Sequence, residues 1–129
     1  MDLQLKGKRA LVTGASKGIG RAIAETLAAE GCSVDIASRG REGLVQAAAE
    51  IADAVPGAEI RIHPLDLSRA EDQAALAAAC GDADILINNA GAAASGSLDE
   101  TDDEGWRASW ELKVFGYINL SRDFYKAMK

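Results

Sequence analysis

The chain has 129 residues, 48% of them hydrophobic, which is enough apolar material for one ordinary core and one folding unit. Twenty acidic residues against fourteen basic ones leave a net charge of -6, which argues against a nucleic-acid or anionic-membrane surface, since both select clustered Lys and Arg. No apolar run approaches the roughly 20 residues needed to span a bilayer, and Met1-Asp2-Leu3-Gln4 lacks the basic and apolar regions of a signal peptide, so the expected compartment is the cytoplasm.

Arg9 to Thr13 is a short, mostly apolar run that ends at a glycine cluster, as a buried parallel strand would. A helix is expected from Gly18 to Glu30, with Ile19, Ile23 and Leu27 recurring every four positions and Gly31 as the stop signal. Cys32 to Ala37 reads as the second strand, and the alanine-rich stretch from Glu42 to Ala54 as a helix closed by Pro56-Gly57. Ala58 to His63 gives a third strand. Ser68 and Glu71 have capping-box spacing, which predicts a helix running to about Cys80.

Ala83 to Asn88 makes the fourth strand, and Thr101 with Glu104 forms another capping box ahead of a long helix from Trp106 to Lys129. Strands and helices alternate with connections too long for hairpins. The expected fold class is therefore α/β: a doubly wound parallel sheet, Rossmann-like and incomplete, of about four strands with flanking helices. Cys32 and Cys80 have neither metal-ligand nor redox-pair spacing and read as reduced packing residues. The charge run from Asp99 to Glu104 has no accompanying His or Cys, so it reads as a solvated helix start, and no metal site is expected.

Chemistry concentrates in two places. Thr13-Gly14-Ala15-Ser16-Lys17-Gly18-Ile19-Gly20 lies between the first strand and first helix, where open parallel sheets bind ligands. Glycines bring the backbone close to a pyrophosphate, the helix start offers free amides, and Lys17 adds a cation. The spacing is not that of a Walker A loop, which requires Lys-Ser or Lys-Thr after its last glycine. Asn88-Asn89-Ala90-Gly91 ends the fourth strand and faces the same crevice; an amide there can pin neighbouring backbone, and Gly91 allows a flat ring or ribose close approach.

Together these two motifs resemble those of the short-chain dehydrogenase/reductase family, in its classical branch, and the resemblance covers nearly the whole chain. It implies that the backbone from Gly14 through Ser16, Lys17, Gly18, Ile19 and Gly20 binds adenosine ribose and pyrophosphate. Asp66 and Leu67 would read the adenine amino group and ring, and Asn89, Ala90 and Gly91 would line the cofactor along its riboses. An acid at the tip of the second strand would select NAD; here Ser38 and Arg39 stand there, and Arg39 with Lys17 could pair with a 2′-phosphate, so NADP is preferred over NAD. Asp35 is an acid earlier in that strand.

The family reaction is hydride transfer between nicotinamide and a carbonyl or alcohol carbon, using a Tyr, a Lys and a Ser that follow a fifth strand. Residues 1–129 therefore read as a partial dinucleotide-binding domain, ending before the catalytic segment, and by themselves are expected to bind cofactor poorly and to be inactive. Tyr125 and Lys129, with Ser121, mimic the Tyr-x-x-x-Lys spacing, but no strand separates them from Gly91 and Lys129 is terminal. They are rejected as catalytic residues. Lys113 occupies the position where many members carry an active-site Asn; its cation cannot reproduce an amide's donor and acceptor pair, though it could assist from the cleft. His63 is expected to be structural.

Trp106, Trp110, Val114 and Tyr117 are expected along one helix face, with Leu112 and Phe115 widening it. That apolar excess, with the sheet edge beside the fourth strand, predicts self-association as a homo-oligomer. The expected partner of the full-length protein is a small carbonyl or alcohol substrate, with no nucleic acid and no membrane. The loop from Ala92 to Leu98 is too bland to identify it. A non-catalytic nucleotide-binding or interaction module is the alternative function.

Overall fold

The computed structural model describes residues 2–91 and 96–129. Most of the loop singled out above, positions 92–95, lies outside the described residues. Four parallel strands form one sheet in the order β3-β2-β1-β4: β1 (Arg9–Thr13), β2 (Ser33–Ser38), β3 (Ile60–Pro64) and β4 (Ile85–Ile87). Helices α1 (Gly18–Ala29), α2 (Arg41–Ala54) and α3 (Ala70–Ala79) connect them, and α4 (Asp103–Trp110) and α5 (Tyr117–Met128) follow. The expected α/β, doubly wound architecture is what forms, because each strand alternates its side chains between two apolar layers.

On one face Val12, Val34 and Ile36 meet Ala24, Ala28, Leu44, Ala47 and Ile51 from α1 and α2. On the other, Leu11 and Ala37 meet Leu76 of α3 and Leu120 and Phe124 of α5. The residues of α1 that press on the sheet are small: Gly20, Ala24 and Ala28 are buried, Ile23 and Leu27 flank them, and Ile19 is 74% exposed. Ile19 therefore does not belong to the core stripe that its spacing suggests. The helix sits too close to β1 for a large side chain at that face.

Neither expected capping box forms. Ser68 instead donates from its backbone N–H and hydroxyl to Asp66 Oδ1, and α3 starts one residue later with Arg69 extended and no side-chain cap. At α4 the cap is Asp102, whose carboxylate accepts from the Gly105 amide, while Thr101 donates to the Ser97 carbonyl. The carboxylate's shorter reach to the third amide beyond it wins over the hydroxyl before it. The expected unbroken helix from Trp106 to Lys129 is also corrected: a π-helical segment, Glu111–Gly116, separates α4 from α5. That extra residue in the turn carries Trp106, Trp110 and Phe115 along the outer surface, lining one shallow groove, while Tyr117 turns inward.

A charged cluster also sits inside this layout. Asp35, fully buried in β2, accepts from Arg61 Nε at 2.6 Å, Arg61 Nη2 at 3.1 Å, Arg9 Nη1 at 3.3 Å and His63 Nε2 at 2.8 Å. Burial alone would raise the Asp35 carboxyl, but the His63 and Arg61 hydrogen bonds, the Arg61 charge and the Arg9 bond outweigh it and hold the group down at about 2. Cys80 Sγ lies 3.5 Å from the same His63 nitrogen, and burial, then the Asp35 charge, push its thiol up to about 12. His63 thus bridges the Asp35 carboxylate and the Cys80 sulfur inside the fold, and Cys80 stays a thiol.

A carboxyl held below its ordinary 3.8 stabilises the fold fully above that value and progressively less as pH falls from there toward about 2. Asp35→Asn is expected to cost about 2 kcal/mol at neutral pH by removing the charge that Arg9, Arg61 and His63 bond, with Asp82 left as the remaining partner of both guanidinium groups. Urea unfolding of wild type and variant between pH 2 and 7 checks this: the wild-type curve should fall in acid toward the variant's, and parallel curves would contradict the assignment.

Candidate functional site

The glycine-rich turn begins where β1 ends. Gly14 and Gly18 adopt positive φ, +65° and +61°, which a side chain would strain. The Gly14 amide donates to the Ala37 carbonyl at 2.8 Å, tying the turn to β2. A Cβ on Gly14 would lie 2.7 Å from Ala90 Cα, and one on Gly20 would strike the Gly14 carbonyl and stand 2.5 Å from Asn89 Nδ2. Gly18, by contrast, faces open space, and no side chain caps the start of α1. Two glycines are spent on close packing and the third on leaving room. The first amides of α1 keep their capacity for an external anion.

The end of β4 is locked to this turn through Thr13. Its buried hydroxyl donates to the Ile87 carbonyl at 3.3 Å and accepts from the Asn89 and Ala90 amides, both at 3.0 Å. The Asn89 side chain then donates to the Thr13 and Gly14 carbonyls at 3.3 and 3.2 Å. From the opposite side, Tyr117 donates its hydroxyl to the Ala90 carbonyl at 2.6 Å, and burial raises that phenol. Asn88 points the other way and donates to Ser121 Oγ at 3.0 Å.

Between these walls lies a crevice of about 430 Å³ at the carboxyl ends of the strands. Gly14, Ser16, Lys17, Arg39, Asp66 and Leu67 line it, with Ala90 and Gly91 on the β4 side and Leu112 above. Eight of the residues designated from the sequence thus line one cleft, whereas Gly18, Ile19 and Gly20, in the first turn of α1, and Asn89, after β4, are not among its lining residues. Arg39 is exposed at the tip of β2. Asp66 is held below the usual carboxylate range chiefly by the Ser68 hydroxyl, against burial, with the Arg39 and Arg69 charges adding to the effect. Both Ser68 bonds fall on Oδ1, so the second oxygen keeps its accepting capacity.

Asp35 cannot reach a ligand, because its carboxylate is wholly enclosed by Arg9, Arg61 and His63. Lys113 extends across Gly91: a Cβ there would lie 2.8 Å from Lys113 Cε and 3.3 Å from Nζ. Tyr125 is 63% exposed with the Lys129 ammonium 5.2 Å from its ring centroid, and Ser121 is bonded to Asn88, so these three do not form a shared site.

Three contributors escaped the sequence reading. Thr13 enters the sequence reading only as the end of a strand and the first residue of the glycine-rich motif, Tyr117 only as part of an apolar face, and Gly116 not at all. Gly116 lets the π segment approach the Leu67 carbonyl, 3.0 Å from where a Cβ would stand. A glycine four residues after Leu112 in an otherwise helical stretch was the available signal.

The family model for short chain dehydrogenases matches residues 8–129. The chain is 39% identical to the 3-oxoacyl-[acyl-carrier-protein] reductase of Escherichia coli over 127 residues, covering 98% of this chain and 51% of that protein. It is 36% identical to the D-beta-hydroxybutyrate dehydrogenase of Cupriavidus necator, covering 97% and 49%. The crystal structure of L-sorbose reductase from Gluconobacter frateurii, complexed with NADPH and L-sorbose, superposes with a TM-score of 0.91 at 35% identity, covering 99% of this chain and 50% of that one. The chain spans about half the length of each of these relatives.

Replacing Thr13 with Val keeps its volume but strands the Asn89 and Ala90 amides, at an expected cost of about 2–3 kcal/mol. Thr13→Ser should stay within about 1 kcal/mol of wild type, since the hydroxyl remains. Chemical denaturation of both variants measures this, and a Ser variant that loses as much as the Val variant would contradict the dominant role given to the hydroxyl.

Proposed function

The chain belongs to the short-chain dehydrogenase family, and from that membership we propose that it forms the cofactor-binding part of an NADP(H)-dependent oxidoreductase acting on a carbonyl or alcohol substrate. When bound, the nicotinamide supplies the hydride donor or acceptor; everything else follows from how this chain would hold it. The observation that carries the reading is the cleft itself, in which a side-chain-free helix start and two close-packed glycines meet an asparagine-locked strand end.

The residues fit a dinucleotide. The open space at Gly18 and the uncapped start of α1 suit a pyrophosphate. Arg39 and Lys17 supply positive charge for a 2′-phosphate, and the one acid of β2, Asp35, lies earlier in the strand and is consumed by its ion pairs. Asp66 would accept from the adenine amine and Leu67 would cover the ring, while Asn89, Ala90 and Gly91 would line the remainder. That the L-sorbose reductase structure is complexed with NADPH supports the choice of cofactor. We further propose that the protein works as a homo-oligomer, since Trp106, Trp110 and Phe115 are each about half exposed along one surface of α4 and the π segment.

Titrating NADPH into the chain should give a saturable change in its fluorescence, and Arg39→Gln should weaken NADPH binding about tenfold while changing NADH binding far less. No saturable signal with folded protein would contradict the cofactor assignment, and equal losses for both nucleotides would contradict the role of Arg39. Sedimentation equilibrium should show mass rising with concentration, and Trp110→Lys should lower it. A monomer across a wide concentration range would refute self-association.

A further inference from the structure

The sheet order decides which half of a dinucleotide lies where, given the cofactor reading above, on which this inference rests. The phosphate-binding turn follows β1 in the middle of the sheet, and Arg39 and Asp66 stand on the β2–β3 side of it. The adenosine half belongs with them, so the nicotinamide half extends the other way, past β4 and Asn89-Ala90-Gly91.

The cation met on that side is Lys113. Its exposed side chain runs close over Gly91, so that a Cβ there would stand 2.8 Å from Cε and 3.3 Å from Nζ and would push the flexible chain aside. The backbone one turn after it is fixed twice: Gly116 is pressed toward the Leu67 carbonyl, and Tyr117 is bonded to the Ala90 carbonyl at 2.6 Å. Among the described residues the ion pairs involve Arg9, Arg21, Arg61, His63 and Arg69, and none neutralises Lys113. A compact, exposed ammonium with no ion pair among the described residues thus lies beside Gly91, on the β4 side of the cleft.

The two redox forms of the cofactor differ at the nicotinamide by one charge. The oxidised ring is a cation, the reduced ring is neutral, and the adenosine, phosphates and riboses are the same in both. We infer that Lys113 makes this cleft discriminate by charge between the two forms, repelling the oxidised nicotinamide so that the site loads with NADPH and releases NADP⁺. An asparagine at this position would be neutral and would not impose that bias. Lys113 is in this sense a specificity-determining residue, acting on redox state, whereas Arg39 acts on the 2′-phosphate.

The test is calorimetric binding of NADPH and of NADP⁺ to the 129-residue chain and to Lys113→Met, Lys113→Gln and Lys113→Arg. The ratio of the NADP⁺ to the NADPH dissociation constant should fall about five- to tenfold in the Met and Gln variants, mostly through tighter NADP⁺ binding, and stay near wild type in the Arg variant. The wild-type ratio should also shrink as salt is raised, because screening weakens an exposed charge more than a buried contact. If both nucleotides bind and the ratio is the same in wild type and both neutral variants, the inference is overturned while the cofactor site stands. If neither nucleotide binds the wild-type chain, the cofactor reading itself fails and takes this inference with it.

Discussion

A single buried hydroxyl holds the two halves of the cleft together. β1 and β4 are parallel, and their ladder runs out at Val12 and Ile87, just where both chains must diverge to leave a crevice. Backbone amides released from a ladder inside a protein need partners. Thr13 supplies them, taking two amides from the β4 exit and giving its own proton back to Ile87. Asn89 completes the join by donating to the turn that follows β1. Gly14 and Gly20 must be glycine because this join draws the strand end and its asparagine against them, whereas Gly18 faces open space.

The buried ion cluster answers a different need. A carboxylate in the middle of a parallel strand is costly unless fully bonded, and Asp35 meets that condition with Arg9 from β1 and Arg61 and His63 from β3. The cluster therefore ties three neighbouring strands on one face while the aliphatic layer does so on the other. It also has a consequence for the site. The acid is withdrawn from the cleft, and the tip of β2 presents Ser38 and Arg39 alone. Further out, Lys113 rests over Gly91 on the opposite wall, so the cleft carries cations at both ends and its carboxylate, Asp66, on the β3 side.

The parts of this arrangement that were legible in the sequence are those set by local composition. Apolar runs of strand length alternating with alanine-rich helices announce a doubly wound sheet, and Gly14 to Gly20 with Asn89 to Gly91 mark both walls of the cleft. Strand ends moved by one or two residues, because a turn bond such as Ala83 to the Cys80 carbonyl competes with the ladder. What stayed hidden depends on contacts between distant segments. Nothing in Arg9, Asp35, Arg61, His63 and Cys80, spread over some seventy positions, signals a cluster until the strands are in register. The caps failed for a related reason: Ser68 and Thr101 have the spacing, but each hydroxyl found a nearer acceptor in its own loop. The π segment was invisible to a 3.6-residue period, since one added residue shifts every later side chain by about 100°.

The central claim is that the cleft between the β1 turn and the end of β4 receives a nicotinamide dinucleotide along its whole length. Amide chemical shifts of the isotopically labelled chain, recorded with and without NADPH, test it residue by residue. The account predicts the largest changes at Gly14 to Gly20, at Arg39 and at Asn89 to Gly91, with the amides of α2's outer face unmoved. Changes confined to another surface, or none at saturating nucleotide, would contradict it.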